Sequence, residues 1–172
     1  LMYSRVGTER APKEEVDCNQ ALKDSIANLD MAIKESKASI KQFTLPKIWG
    51  NYVQVSQLFQ NLIANAIKYQ GESTPVIEIS AEKKDNMWLF GVKDNGIGIE
   101  QWFSERIFIV FQKLHDHRKY PGSGIGLALC KRVVEKHGGK IWFESEVGKG
   151  TTFYFTFPVM EPKAKPKPKA KT

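Results

Sequence analysis

The chain has 172 residues, of which 41% are hydrophobic and 26% are charged, and its formal net charge is +7. This length suits one well-packed soluble domain and is too short for two ordinary ones. The apolar stretches are strand-length and interrupted, which excludes a membrane-spanning helix or a secretory signal peptide within the chain. Cys18 and Cys130 show neither metal-site clustering nor disulfide density, so we expect reduced thiols in a cytoplasmic protein.

The positive charge is concentrated at the carboxyl end of the chain. Residues 161–172 contain five lysines and one glutamate, a charge of +4 that leaves +3 for the rest. A segment rich in Pro, Lys and Ala cannot bury a core, so we predict a disordered basic tail at 161–172. Contact of this tail with a polyanion is the alternative to a simply solvated tail. We expect no nucleic-acid partner for the domain itself.

The first half of the chain is predicted to contain short strands and two longer helices. Residues 1–7 have the pattern of a helix end that closes on a glycine, with Pro12 beyond it. The elements that follow are a strand at 16–19, a helix at 20–36, strands at 38–43 and 45–49, and a helix at 52–69.

The second half is predicted to be richer in strands. Val76 to Glu82 alternates apolar and polar residues, as a half-buried strand does, and a turn then reverses the chain. The return strand at 87–94 is more apolar, which favours a central position in a sheet. The later elements are a short helix at 102–107, a polar stretch at 112–121, a helix at 124–137 and a hairpin of strands at 140–145 and 151–157.

Two glycine-rich turns are the most informative motif of the sequence. They lie at Asp94–Ile99 and Gly122–Leu127, separated by the polar stretch. One G-x-G motif is weak support for a site, because glycine is common in tight bends. Two such turns with a polar segment between them can enclose a nucleotide. The second turn opens a helix, whose free N–H groups and partial positive charge suit phosphate oxygens.

The helix at 52–69 carries a row of polar residues. Asn61, Asn65, Lys68 and Tyr69 fall on one stripe beside an apolar stripe. Asparagine is a poor residue for a helix interior, although amides with partners in the core would be the structural explanation. The functional interpretation gives Asn65 a carbonyl oxygen for Mg²⁺, Lys68 a charge for phosphate and Tyr69 a ring edge or hydroxyl.

Asp94 stands where the central strand ends and the first glycine turn begins. A carboxylate at this place can accept a hydrogen bond from the exocyclic amine of adenine, whereas guanine would present a second acceptor there. An Asp-Asn-Gly turn whose carboxylate is satisfied locally would explain the tripeptide alone. That local explanation does not account for the second glycine turn and the polar helix stripe, whereas adenine recognition does.

These segments together resemble the ATP-binding domain of sensor histidine kinases, over roughly residues 13–158. In that family's terms, residues 61–69 form the N box, 94–99 the G1 box and 122–127 the G2 box. Residues 108–111 resemble the F box, although Val110 stands where a proline is common. Segments 112–115 and 120–122 look most like phytochrome-type and PAS-linked kinases.

The resemblance implies a fold and a division of the chain. The fold is an α+β two-layer sandwich of the Bergerat type, a mixed sheet with helices on one face and an ATP lid. Residues 1–12 would be the end of a dimerisation helix and a linker, and 13–160 the ATP-binding catalytic domain. The ligands would be ATP and Mg²⁺.

The resemblance also implies roles for individual residues. Asn61 would orient the attacking histidine, and Lys113 would touch the γ-phosphate, with a solvated lid lysine as the alternative. Thr151 belongs to the family's last box, although that segment alone is a hairpin turn. The residues implied to bind the nucleotide are Asn65, Lys68, Tyr69, Asp94, Gly96, Gly98, Ile99, Phe111, Gly122, Ser123, Gly124, Ile125, Gly126, Leu127 and Thr151. Asn65 would also bind the metal.

The implied partners lie outside this sequence. His115, His117 and His137 do not match a phosphoacceptor motif, so the acceptor histidine is expected on an upstream dimerisation domain, next to a sensory domain. A response regulator would receive the phosphate. The chain would be monomeric without membrane contact, and the full protein a homodimer.

Two alternatives remain at this point. The first is an ATP-hydrolysing relative such as gyrase or the mismatch-repair ATPases, in which a glutamate at the place of Asn61 activates water. The amide of Asn61 counts against it. The second is a nucleotide-binding regulatory module without transfer activity.

Overall fold

A computed structural model describes residues 12–109 and 122–160 of the chain. The predicted helix end at 1–7, the lid with Phe111 and Lys113, and the basic tail at 161–172 lie outside the described residues. The helices are α1 (Cys18–Asn28), α2 (Asp30–Ser36), α3 (Tyr52–Lys68) and α4 (Gly126–Lys136), with a 3₁₀ turn at Gln101–Phe103. The strands are β1 (Glu14–Asp17), β2 (Ser39–Gln42), β3 (Lys47–Gly50), β4 (Val76–Lys84), β5 (Met87–Asp94), β6 (Ile141–Glu146) and β7 (Gly150–Pro158).

Five strands form a mixed sheet in the order β2-β4-β5-β7-β6. Strand β2 runs parallel to β4, and the other neighbours are antiparallel. Strand β5 is central, as its apolar composition predicts. Strands β1 and β3 pair separately as a small antiparallel sheet.

The core lies between one face of this sheet and the helices. Alternate residues of the central strands point inward, where the rings of Phe90 and Phe155 stack with centroids 4.9 Å apart. Phe59 of α3 contacts both rings, with centroids 6.1 Å and 6.0 Å away. All three side chains are fully buried. Burial of such apolar rings stabilises this two-layer arrangement.

The single helix predicted at 20–36 is wrong in one respect, because the chain breaks it into α1 and α2. The break falls at Leu29, whose N–H bonds the carbonyls of Ile26 and Ala27. This tightens the last turn of α1. Asn28 is a weak helix former and Asp30 favours a helix start, so the local sequence offers both an end and a beginning.

Helices α3 and α4 pack side by side and run in opposite directions. At one end, Gly126 at the start of α4 faces the side chain of Asn61 on α3. At the other end, His137 just after α4 accepts a 3.0 Å hydrogen bond at Nε2 from the N–H of Asn51, the N-cap of α3. The antiparallel packing therefore brings the end of α3 and the beginning of α4 to the same edge of the domain.

His137 lies just after the carboxyl end of α4, but it is not an exposed cation there. It is buried, and its Nδ1 lies 2.7 Å from the carbonyl of Val133. Because Nε2 accepts a hydrogen bond, Nδ1 carries the proton. Burial lowers the pKa of the imidazole, which therefore stays neutral.

Within the described residues, no helix has both the length and the apolar character needed to cross a lipid bilayer.

Candidate nucleotide-binding site

A cavity of about 230 Å³ opens between the end of α3, the turn after β5 and the beginning of α4. It brings together most of the site residues predicted from the sequence. Those that line it are Asn65, Lys68, Tyr69, Asp94, Gly98, Ile99, Gly122, Ser123, Gly124, Gly126, Leu127 and Thr151. Gly96, Ile125 and Asn61 lie beside the cavity, and Phe111 and Lys113 lie outside the described residues.

Asp94 is anchored at one end of the cavity by two backbone groups. Its Oδ1 accepts hydrogen bonds from the N–H of Gly96 at 2.8 Å and from the N–H of Thr151 at 3.1 Å. A local turn would explain the first bond but not the second, which spans two strands. Burial raises the pKa of the carboxyl, and the two hydrogen bonds oppose that rise. Among the described residues, Oδ2 has no hydrogen-bond donor.

The first glycine turn packs directly against the β6–β7 hairpin. Gly98 has φ +76°, and a Cβ there would lie 2.4 Å from the carbonyl oxygen of Glu146. Gly150 has φ +120°, and a Cβ there would lie 2.0 Å from the carbonyl oxygen of Asp94. Both positions therefore require glycine, for backbone conformation and for space. The close contact fixes Asp94 relative to Thr151.

The other end of the cavity is positively polarised. The Nζ of Lys68 would lie 2.5 Å from a Cβ on Gly122, so it lies against the second glycine turn. The same Nζ lies 4.9 Å from the centroid of the Tyr69 ring. Helix α4 begins there with no side-chain cap and no acidic residue in its first turn. A cation and a helix N-terminus together suit an anionic ligand.

Asn61 faces α4 rather than the cavity. Its Oδ1 would lie 3.8 Å from a Cβ on Gly126, and its side chain also contacts the thiol of Cys130 one turn further along α4. Burial raises the pKa of that thiol to about 12, against the smaller effect of the hydrogen bond from Asn61. Asn61 thus lies between the two helices at the border of the site.

Three further residues belong to this region and were not predicted from the sequence. Ile107 and Phe153 line the cavity as apolar walls, and the alternation of strand 151–157 was a signal that Phe153 points inward. Ser145, behind the wall, bonds both glycine-turn and hairpin groups. Only its position opposite Thr151 in the paired strands shows this role.

The chain is similar to known proteins over most of its length. The family model described as "Histidine kinase-, DNA gyrase B-, and HSP90-like ATPase" matches residues 50–161. Cyanobacterial phytochrome A of Nostoc sp. is 48% identical over 159 residues, which cover 92% of this chain and 21% of the phytochrome. The chain thus spans about a fifth of that protein's length.

Solved structures show the same fold. The catalytic domain of the histidine kinase ThkA superposes with a TM-score of 0.72 at 25% identity, covering 85% of this chain and 95% of that one. ThkA has also been solved in complex with the response regulator protein TrrA. Full-length ShkA in complex with AMPPNP gives a TM-score of 0.78 at 25% identity, covering 94% of this chain and 35% of that one.

These likenesses confirm the predicted α+β fold with helices on one face of a mixed sheet. The cavity, the two glycine turns and the asparagine-bearing helix lie within the part of the chain that the family model matches. The chain belongs to the family of histidine kinase-, DNA gyrase B- and HSP90-like ATPases, and over most of its length it is similar to the catalytic domain of a histidine kinase.

Proposed function

We propose that the chain binds Mg²⁺-ATP in this cavity and donates the γ-phosphate to a histidine on a separate dimerisation domain. One observation supports this most strongly. An anchored carboxylate, Asp94, lies at one end of a single cavity, and Lys68 with the uncapped start of α4 lies at the other. The arrangement has an acceptor for a base and cationic groups for a polyphosphate.

The base would meet Asp94. Because Oδ1 is held by two backbone N–H groups, Oδ2 is the oxygen available to a ligand. A carboxylate oxygen accepts from the exocyclic amine of adenine and repels a carbonyl at the same position. The site therefore favours adenine over guanine.

The phosphates would lie between Lys68 and the beginning of α4. Asn65 lines the cavity one helical turn before Lys68 and offers an amide oxygen there. The described residues contain no group of three or more His, Cys, Asp or Glu side chains that would hold a metal alone. This fits Mg²⁺, which binds through few protein oxygens and completes its shell with phosphate and water. Mg²⁺ would neutralise phosphate charge in the transfer reaction.

The side chains favour phosphoryl transfer over hydrolysis. Among the described residues that line the cavity, Asp94 is the one carboxylate, and its two backbone hydrogen bonds hold it at the end proposed for adenine. Asn61 is an amide and cannot act as a general base for water. A histidine nucleophile needs alignment more than activation, which the edge between α3 and α4 can provide.

The partners follow from the relatives. A histidine-bearing dimerisation domain and a sensory domain would belong to the same, homodimeric protein, and a response regulator would accept the phosphate, as TrrA binds ThkA.

A cytoplasmic location is part of the proposal. Cys18 and Cys130 are buried and free, which accords with a reducing compartment.

Phosphotransfer in trans tests the proposal. The chain is incubated with Mg²⁺ and γ-labelled ATP, alone and with a separately produced histidine kinase dimerisation domain carrying its acceptor histidine. We expect acid-labile label on the dimerisation domain only when both proteins are present, and none on this chain. Asn65→Ala should abolish the transfer. Labelled phosphohistidine on the chain alone, or transfer without Asn65, would contradict the proposal.

A further inference from the structure

Ser145, at the end of β6, joins three parts of the site without lining the cavity. Its hydroxyl oxygen lies 2.7 Å from the N–H nitrogen of Ile99 in the first glycine turn. It also lies 2.9 Å from the carbonyl oxygen of Gly150 and 2.8 Å from the hydroxyl oxygen of Thr151. Ser145 and Thr151 face each other across the β6–β7 pair.

The direction of these hydrogen bonds follows from the number of hydrogens. A serine hydroxyl has one hydrogen to donate and two lone pairs that accept. The backbone N–H of Ile99 can only donate to Ser145, and the carbonyl of Gly150 can only accept from it. The single hydrogen of Ser145 is therefore used on Gly150. The contact with Thr151 is then a hydrogen bond only if Thr151 donates and Ser145 accepts.

This direction determines what Thr151 offers to a ligand. Its only hydroxyl hydrogen points to Ser145, so the hydroxyl presents lone pairs to any group that approaches from the cavity. Asp94 presents a carboxylate oxygen, and its Oδ1 is already bonded to the backbone of Thr151. The two polar side chains at the base end of the cavity are therefore both acceptors.

We propose that Ser145 is a positioning residue for base specificity, because it holds the Thr151 hydroxyl as an acceptor and so completes an acceptor-only pocket. The proposal rests on the proposed function, since it takes the base of ATP to be the group that meets Asp94 and Thr151. Such a pocket selects a base that presents an amine and disfavours one that presents a carbonyl. Without Ser145, the Thr151 hydroxyl can rotate and donate to a carbonyl.

The ratio of two dissociation constants tests this. Calorimetry measures the dissociation constants of ADP and of inosine diphosphate for the unmodified chain and for Ser145→Ala. In inosine diphosphate, a carbonyl replaces the amine of adenine. We expect the preference for ADP to fall about tenfold in Ser145→Ala, the effect of one hydrogen bond. Ser145→Thr keeps the hydroxyl and should keep the preference. A preference within twofold of the unmodified chain in Ser145→Ala would overturn the proposal.

A double variant separates positioning from general damage to the hairpin. In a Thr151→Val background there is no hydroxyl to reorient, so adding Ser145→Ala should leave the ADP preference unchanged. A further tenfold fall in that background would overturn the proposal, because Ser145 would then act independently of Thr151. If Ser145→Ala does not fold, Ser145→Cys, which weakens the same hydrogen bonds, replaces it with the same expectations. Failure of the unmodified chain to bind ADP would instead refute the proposed function.

Discussion

The carboxyl group of Asp94 is buried, and burial disfavours its charged form. Its folded-state pKa is raised by burial, so ionisation stabilises the folded state less than it stabilises the unfolded chain. The contribution of this group to stability is therefore full at pH below its ordinary value of 3.8 and is lost as the pH rises through the folded-state pKa. At neutral pH the charge on Asp94 destabilises the free protein. The proposed adenine ligand nevertheless requires this charged carboxylate as its hydrogen-bond acceptor.

Asp94→Asn should therefore separate binding from stability. The amide oxygen can still accept from the N–H groups of Gly96 and Thr151, but the amide also presents a donor toward the adenine amine. We expect ADP affinity to fall at least about tenfold and the melting temperature at pH 7 to rise. Calorimetry and thermal unfolding measure the two effects. Asp85→Asn, in the exposed β4–β5 turn at φ +55°, is the control and should change neither. Unchanged affinity in Asp94→Asn would remove Asp94 from the base site.

At the residue scale, the sequence predicted those site residues that belong to a local motif. Asp94 follows a strand and precedes glycines, and Asn65 and Lys68 lie on one helical stripe, so their residue types and spacing indicate chemistry. Ser145 has no such motif around it. Its role depends on which residue of β7 lies opposite it, and that register is a property of the folded sheet.

At the scale of elements, the glycine turn and the hairpin are in close contact, and a matched pair of substitutions tests how rigid this contact is. Gly98 and Gly148 have nearly the same φ, +76° and +82°, but only Gly98 has atoms within 4 Å of the added Cβ. Gly148→Ala should cost about 1 kcal/mol of unfolding free energy, from backbone strain alone. Gly98→Ala should cost about 3 kcal/mol, because strain and the contact with Glu146 add.

Urea denaturation of both variants measures the difference. A larger loss for Gly98→Ala isolates the steric contact, since the backbone conformations match. Equal losses would show that the turn can move away from the hairpin, and that the anchoring of Asp94 is less rigid than the distances indicate.

His137 connects α4 to α3 and gives this contact a pH dependence. Burial lowers its folded-state pKa below 6.5, the bond to Val133 opposes this shift, and the charges of Lys13 and Lys136 add to it. Its contribution to stability is therefore full above pH 6.5 and is lost as the pH falls toward the folded-state pKa. The loss is at most about 1.4 kcal/mol per pH unit. Protonation would also place a hydrogen on Nε2, which now accepts from Asn51.

His137→Gln tests this contribution, because glutamine offers an acceptor oxygen and does not titrate. Chemical unfolding at pH 7 and pH 5 should show a smaller loss of stability on acidification for the variant than for the unmodified chain. Equal losses in both proteins would contradict the assignment of a neutral, bonded His137.

The helix boundaries illustrate what local sequence does not determine. The apolar spacing through residues 20–36 continues across Leu29, so periodicity predicts one helix, whereas the structure has two. The competing signals, Asn28 before the break and Asp30 after it, are each weak alone. Helix α1 also packs against α3, a tertiary contact that local periodicity does not include.

At the scale of the whole molecule, the mixed sheet and its single layer of helices were predictable. Alternation identified β4, the apolar return strand identified β5 as central, and the order of the boxes indicated the family. The separate β1–β3 pairing was not predictable, because short strands give no information on their partners. The walls formed by Ile107 and Phe153 likewise depend on how the sheet and the glycine turns come together.

The whole domain is expected to hold ATP without hydrolysing it. Asn61 lies between α3 and α4 as an amide, and the described cavity has no carboxylate at the phosphate end. A phosphate-release assay with Mg²⁺-ATP should therefore show negligible turnover. Fast hydrolysis by the unmodified chain would require a general base that these residues do not supply, and would favour a hydrolytic member of the family.

We propose that one cavity binds adenine at Asp94 and the phosphates at Lys68 and the beginning of α4. The most direct measurement is a calorimetric titration of the chain with AMPPNP and with GMPPNP, both in the presence of Mg²⁺. We expect one site per chain and an affinity for AMPPNP at least about tenfold higher than for GMPPNP. No binding of AMPPNP, or equal affinity for the two nucleotides, would contradict it.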